Sequence, residues 1–249
     1  MLQNSFIHVP GVSMNSERKI WKSGISCWSR FLEDSSSVCL PQRKRECILD
    51  NLKISQERLG EKDSGYFQKL LPPREHWRMY PEFRDSVAFL DIETTGLGQH
   101  HDITLIGIFD GKKTHSYILG DNLKKFEKDI QKYKLLVTFN GACFDIPFIL
   151  SKFNSLDLAQ THIDLRWTLR RIGLSGGLKS IEQQLGLSRS EETENMSGWD
   201  AVRLWKRYQR GDSDSLDLLL QYNREDVVNL KKILEMCYTD LVKVTLNGT

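Results

Sequence analysis

The run SVAFLDIETTGL, residues 86–97, decides the fold. Its first half is a short apolar stretch, the pattern of a buried strand. Side chains at i and i+2 of a strand share a face, so Asp91 and Glu93 project together while Ile92 turns back into the core. Two carboxylates held this close repel one another. Such a pair is kept for a cation, for acid–base work, or because both are exposed. The apolar VAFL directly before them argues against exposure. Gly96 then lets the chain turn closely past whatever the pair holds. By itself an Asp-x-Glu at a strand end is ambiguous.

Outward from this strand, ITLIGIFD (103–110) and THSYILG (114–120) flank Asp110-Gly111, a hairpin signal. Asp121 is placed to cap a helix carrying Leu123, Phe126, Ile130 and Tyr133 on one face. KLLVTF (134–139) reads as another strand, and FDIPFILSKF (144–153) as a helix with Pro147 in its first turn. Helices follow over 166–172, 178–185, 198–210 and 215–238. The last has an apolar stripe of Leu216, Leu219, Leu220, Val227, Leu230 and Leu234. The order is that of an α/β domain with a mixed sheet, expected over 85–249. Residues 1–40 read as a small helical unit, in which Ser16 caps a helix through Ile20 and Trp21 that Gly24 ends, and Ile25, Trp28 and Leu32 recur at helical spacing. Residues 41–84 read as one helix from Arg43 to about Gln68 and an extended connector after Pro72-Pro73.

Two more segments join the acid pair. In VTFNGACFDIP (137–147) a strand ends in the turn signal Asn140-Gly141, and Asp145 opens a helix. An acid there also suits the helix dipole, but sites gather where strands of an α/β sheet end. In YNREDVVNL (222–230), Tyr222 and Asp226 are i, i+4 on one helix face, at the rim of the apolar stripe. Four carboxylates without clustered Cys or His suit hard, oxygen-seeking Mg²⁺ or Mn²⁺ better than zinc. Two such ions about 3.5–4 Å apart clamp the attacking and leaving oxygens of a phosphodiester.

At these residues the chain resembles the DEDD exonuclease superfamily of the RNase H-like fold, in its tyrosine subclass, where the last motif is Y-x-x-x-D. The N-x-x-x-F-D style is similar to the proofreading domains of family-B DNA polymerases. The run from VAFLDIETTGL through VTFNGACFDIPFI, HIDLRWTLRRIGLSGGLKSIEQQLG and YNREDVVNL resembles the predicted-exonuclease family of bacterial and archaeal RNase H-like proteins. The resemblance spans about Trp77 to Tyr238. It implies a five-stranded mixed sheet flanked by helices and a 3′-to-5′ exonuclease acting on DNA or RNA with two divalent cations. It gives Asp91, Glu93, Asp145 and Asp226 as metal ligands, with Asp91 bridging both ions. Tyr222 would orient the attacking water; with an ordinary pKa of about 10 it is a poor base at neutral pH. Thr94, Thr95, Leu97, Asn140 and Phe144 would lie against the terminal nucleotide. Asp164 would support the site from behind, or cap a helix. A structure-selective endonuclease, or a non-catalytic nucleic-acid docking module, fits the same fold.

Composition narrows the classes further. The net charge is only +2, and residues 1–80 hold thirteen Lys and Arg against nine Asp and Glu, so any nucleic-acid surface is local. Arg43-Lys44-Arg45 reads as a solvated charge run, His100-His101 as a loop, and Gly176-Gly177 as a turn between helices. HVPGV (8–12) resembles the start of a helix-hairpin-helix but lacks its second glycine, so this unit is open to a protein partner as much as to a phosphate backbone. Five cysteines without a C-x-x-C argue against a disulfide scaffold or zinc ribbon and for a reducing compartment. With no signal peptide or membrane span read from the sequence, a cytoplasmic protein is expected. No P-loop or dinucleotide fingerprint points to a nucleotide cofactor.

Overall fold

A computed structural model describes residues 1–98 and 100–247. The chain divides into two units: Met1–Arg84 with the segment from Asp240 onward, and Asp85–Thr239. No helix among the described residues is long and apolar enough to cross a membrane.

The N-terminal unit holds α1 (Met14–Lys22), α2 (Trp28–Glu33), α3 (Gln42–Gly60), α4 (Ser64–Leu70) and, after a 3₁₀ stretch over Pro73–Met79, α5 (Tyr80–Phe83). The cap of α1 is Ser13, whose side chain accepts from the Ser16 amide; Ser16, the expected cap, lies inside the first turn. The single helix expected from Arg43 to Gln68 is two. Lys62 takes a left-handed φ of 55°, which ends α3, and Asp63 restarts the chain by accepting from the Tyr66 amide at 3.0 Å. The Arg43-Lys44-Arg45 run is only partly solvated: Arg45 donates to the Val38 carbonyl at 3.1 Å and Lys44 to Ser16 Oγ at 3.0 Å.

Trp28, Phe31, Ile48, Leu52 and Phe67 are fully buried in this unit. Among them lies a charge. Arg78 is wholly enclosed; its Nη1 donates to Glu17 Oε1 at 2.9 Å and to Ser5 Oγ at 2.6 Å, and its Nε to Glu75 Oε2 at 2.8 Å. Glu17 in turn accepts from the Phe6 and Ile7 amides at 2.6 and 3.2 Å. The network thus ties the irregular first residues to α1 and to the 3₁₀ stretch.

In the second unit, β1 (Val87–Thr94), β2 (Ile103–Phe109), β3 (Thr114–Ile118), β4 (Leu135–Thr138) and β5 (Thr161–Asp164) form one sheet in the order β3-β2-β1-β4-β5. β1 runs antiparallel to β2 and parallel to β4. This is the five-stranded mixed sheet flanked by helices that the sequence resemblance implies. The hairpin turn follows its signal: Asp110 Oδ1 accepts from the Lys112 and Lys113 amides at 2.8 and 2.7 Å, and Gly111 takes a φ of 91°.

The helices are α6 (Phe126–Asp129), α7 (Asp145–Lys152), α8 (Leu165–Thr168), α9 (Leu178–Gln184), α10 (Glu191–Glu194), α11 (Gly198–Tyr208) and α12 (Ser213–Asn247). Asp121 does not cap the expected helix. That segment is a 3₁₀–α–3₁₀ succession from Leu123, because Asn122 turns its side chain back to bind the Ile118 amide and the Ser116 carbonyl of β3. α12 extends past both ends of the expected 215–238.

The pleat sorts the core. Ala88, Leu90 and Ile92 of β1 pack with Phe126, Ile130, Phe148 and Ile149 on one face. On the other face Leu105 packs with Trp205 of α11 and with Leu219 and Tyr222 of α12. Asp91 and Glu93 lie on that second face, as period two requires.

Replacing Arg78 by Met removes the enclosed cation that Glu17 and Glu75 share, although Glu75 keeps Arg74 at 3.8 Å. The expected loss is about 3–5 kcal/mol of stability in the N-terminal unit, read by urea denaturation followed through tryptophan fluorescence. An unchanged midpoint would show the network to contribute nothing net.

Candidate functional site

β1 delivers its acids where its pairing with β2 is interrupted: the register shifts between Glu93 and Thr94. Such bulges re-aim side chains at the ends of strands. α12 crosses behind, carrying Asp226. Ligand-type oxygens of Asp91, Glu93 and Asp226 all lie within 4.8 Å of one another. Asp145, the first residue of α7, stands beside this triad and not within it. It is buried, and its Oδ1 accepts from the Ile92 amide at 3.2 Å.

The close approach of α12 depends on Gly107. In the β-ladder Gly107 pairs with Asp91. A methyl group there would come within 1.9 Å of Asn223 Oδ1 and 3.3 Å of Val227. Into the space so kept, Asn223 donates to Asp91 Oδ2 at 2.9 Å. One turn of α12 therefore contributes a carboxylate to the cluster and an amide to its neighbour.

Asp164 organises the loop that brings in Asp145. It caps α8 through the Arg166 amide at 3.0 Å and also accepts from the Asn140 and Ala142 amides at 2.8 and 3.1 Å. Asn140 itself takes a φ of 65°, and its Oδ1 is bound by Arg166 at 2.7 Å. A methyl group at Gly141 would strike Thr138 Oγ1 at 2.2 Å, so the turn is tight at this glycine.

The triad opens into a cleft of about 250 Å³ lined by Thr94, Gly96, Leu97, Phe144, Trp199, Val202 and Tyr222 as well. Thr94, Leu97 and Phe144 thus lie at the cleft. Thr95 and Asn140 are not among its lining residues; Thr95 Oγ1 is engaged by the Asp102 amide at 3.0 Å and by His101 at 3.1 Å. That contact also accounts for one of the two histidines of the loop.

Sequence reasoning missed Arg189. Its guanidinium grips Glu182 through two bonds at 2.7 and 2.8 Å, hydrogen-bonds Asp226 Oδ1, and lies 5.4 Å from the centre of the Tyr222 ring. Glu182 is held further by Asn229 of α12 at 2.9 Å. No local pattern announces an arginine in the loop after α9 as the partner of an acid 37 residues on. Asn223, by contrast, was findable: it is three residues before Asp226 on a helix, hence on the same face.

Burial, with Asp226 next in effect, holds Asp91 and Glu93 well above the usual carboxylate range. Burial raises Asp145 to about 7, against the opposing hydrogen bond from Ile92. Asp226 rises to about 6, also through burial, with Arg189 pulling it back. Burial and then the charge of Asp226 push Tyr222 far above its ordinary value, so its hydroxyl stays protonated. A buried Glu93 Oε1 has no hydrogen-bond partner among the described residues. Oxygen-only donors, mutual repulsion and an unsatisfied buried carboxylate oxygen together fit a hard divalent cation.

With this geometry the comparisons agree. The RNase_H_2 family model, of the RNase_H superfamily, matches residues 88–238. The chain belongs to this family. A family B DNA polymerase from the hyperthermophilic archaeon Pyrobaculum calidifontis is similar in structure, with a TM-score of 0.50 and 12% identity over 61% of this chain. The match covers 24% of the polymerase, so the likeness is one of fold over part of that protein. Among curated proteins none matches significantly. The family match covers β1 from Ala88 onward, the acid-bearing start of α7, and Asp226, placing the carboxylates inside the family's own fold.

Two outcomes follow from the carboxylates. Their pKa values are raised in the folded state, so without metal the stability they contribute is full below about pH 4 and is lost as pH rises through about 6 and 7. A divalent cation binds the deprotonated forms and reverses this. The rise in Tm on adding Mn²⁺ is therefore expected to be several degrees at pH 8 and near zero at pH 5. Equal rises at both pH values, by thermal melting against a chelator control, would count against a carboxylate site. Gly107→Ala should cost about 1–3 kcal/mol by overpacking against Asn223, and should shrink the Mn²⁺ shift, both read in the same melts.

Proposed function

We propose that this chain is a metal-dependent nuclease that shortens DNA or RNA from the 3′ end. The observation that carries the reading is the convergence of Asp91, Glu93 and Asp226 within 4.8 Å, with Asp145 beside them, at the end of the central strand of an RNase H-like sheet. Asp91, Glu93, Asp145 and Asp226 would hold two divalent cations, Mg²⁺ or Mn²⁺. Such ions lower the pKa of an attacking water and neutralise charge developing on a phosphodiester.

The chain's own groups have distinct tasks in this reading. Asp91 is steadied by Asn223, and Asp226 by Arg189. Tyr222 stays protonated and lines the cleft, so it acts by donating a hydrogen bond that orients water, not by taking a proton. Thr94, Leu97 and Phe144 line the space a terminal nucleotide would fill. Five cysteines, all free thiols, support a reducing, cytoplasmic setting.

The test uses single- and double-stranded DNA and RNA labelled at the 5′ end, with wild type and Asp226→Ala, in Mg²⁺, Mn²⁺ or chelator. The expected result is a ladder that shortens one nucleotide at a time, needs metal, and weakens at least a hundredfold in the variant. Loss of a mere partner of a metal ligand already costs about 10–100-fold. A discrete internal product would replace this reading with an endonuclease.

A further inference from the structure

Residues 165–181 hold four basic side chains, Arg166, Arg170, Arg171 and Lys179, and no acid, in a chain whose net charge is only +2. The first part of this run is α8 and the 3₁₀ stretch Leu169–Ile172 that continues it. Leu165, Thr168 and Leu169 are buried, so the inward face of the run is filled. Trp167 is left outside at 46% exposure, although an indole carries a large apolar area worth burying.

What covers part of that indole is charge. The Arg170 guanidinium carbon stands 4.4 Å from the ring centre, and that of Arg166 stands 5.8 Å from it. Neither arginine forms an ion pair with a carboxylate among the described residues; Arg166 donates to Asn140 instead. A guanidinium lying over an aromatic ring keeps its in-plane N–H donors open to an acceptor. That planar fork matches the oxygens of a phosphate.

The sheet sets this cluster beside the acids. β1, β4 and β5 run parallel, so their C-terminal ends share one edge of the sheet. There β1 brings Asp91 and Glu93, β4 leads to Asp145, and β5 leads into α8. Two inter-strand steps of about 4.8 Å separate β1 from β5, a distance of roughly 10 Å. Asp164 and Arg166 also fasten the turn before Asp145, through Asn140 and Ala142. Arg166, Trp167 and Arg170 are nevertheless absent from the lining of the carboxylate cleft. They form a separate surface, and its charge complements a polyanion whose end the acids alone would repel.

Resting on the nuclease reading, we infer that Arg166, Trp167 and Arg170 form a second subsite. It clamps a backbone phosphate of the substrate strand on the 5′ side of the bond being cut. The indole holds the guanidiniums flat, and the guanidiniums bind the phosphate. The clamp reads no base, and it acts only on strands long enough to reach it.

The test begins with fluorescence anisotropy in the Asp226→Ala background with Mn²⁺, so that the strand stays intact. The probe is a 5′-fluorescein single strand of about ten nucleotides, DNA and RNA in turn, at a series of salt concentrations. Arg170→Gln should weaken binding roughly tenfold and flatten the slope of log K against log salt by about 0.7, the share of one phosphate contact. Trp167→Ala should weaken binding without removing a charge, and Trp167→Phe should retain most of it. Arg207, exposed on α11, is the control: Arg207→Gln removes an equal charge and should bind as the parent does. Equal losses in Arg170→Gln and Arg207→Gln would reduce the effect to bulk charge and overturn the clamp. In the otherwise wild-type enzyme, Arg170→Gln should raise KM for the long strand about tenfold at unchanged kcat, and should cut a dinucleotide as wild type does. An equal loss on the dinucleotide would put Arg170 at the scissile bond and overturn the upstream role. If Arg170→Gln binds and cuts every strand like wild type, the clamp fails and the nuclease stands. If wild type shortens no strand but Arg170→Gln still flattens the salt slope, the nuclease reading fails and the phosphate-binding surface stands.

Discussion

Mutual repulsion among crowded carboxylates is the constraint around which the second unit is built. Asp91, Glu93 and Asp226 share a space of a few ångströms, and Asp145 adds its charge from one side. In water such a group would spread apart; here β1, α7 and α12 hold it together. Packing of the two apolar faces of the sheet supplies the restraint, since Ile92 points into one core while its neighbours on either side, Asp91 and Glu93, point to the opposite face. The cluster is stable against its own charge because Arg189 and Asn223 reach into it, and because protons or cations can neutralise what remains.

Arg189 gives this arrangement a particular character. It joins Asp226 to Glu182, and Glu182 also accepts from Asn229, so that α9, the following loop and two successive turns of α12 are tied by one guanidinium and the carboxylate it grips. A planar fork with fixed donors is suited to that task where a lysine would not be. The placement of Asp226 is thereby set by Arg189 and, through it, by Glu182. The N-terminal unit solves the opposite problem, one enclosed cation shared by Glu17 and Glu75.

How much of this the sequence disclosed depends on the range of the contacts. The strand alternation of residues 87–94 and the helical stripe around Tyr222 and Asp226 are local patterns, and they identified the face on which each acid lies. Four of the five strands, and Asp164 as a cap, were legible for the same reason; β5 was not read from local pattern and entered only through the family resemblance. Interactions that cross the chain were not legible. Arg189 with Asp226 and the space at Gly107 arise only when distant segments meet. Local chemistry also misled where two side chains competed. Ser13 took the cap expected of Ser16. Asn122 bound back to β3 and displaced the cap expected of Asp121, and Lys62 ended a helix whose pattern ran on. Of the four acids, Asp145 shows most clearly what sequence order leaves open: it arrives beside the triad, with one oxygen already engaged by the backbone of β1.

The missing side chain at position 107 has a consequence for how this sequence can drift. Gly107 and Asn223 occupy, in effect, one volume between them. Any side chain gained at 107 must be matched by one lost at 223, and a shorter residue at 223 surrenders the amide that steadies Asp91. The two positions therefore form a genetic lock. Each alone is open to single-base change, yet the pair can move only together, and only by way of an intermediate with an impaired acid cluster. Among descendants of this chain the two sites should vary as a unit or not at all, although 115 residues separate them.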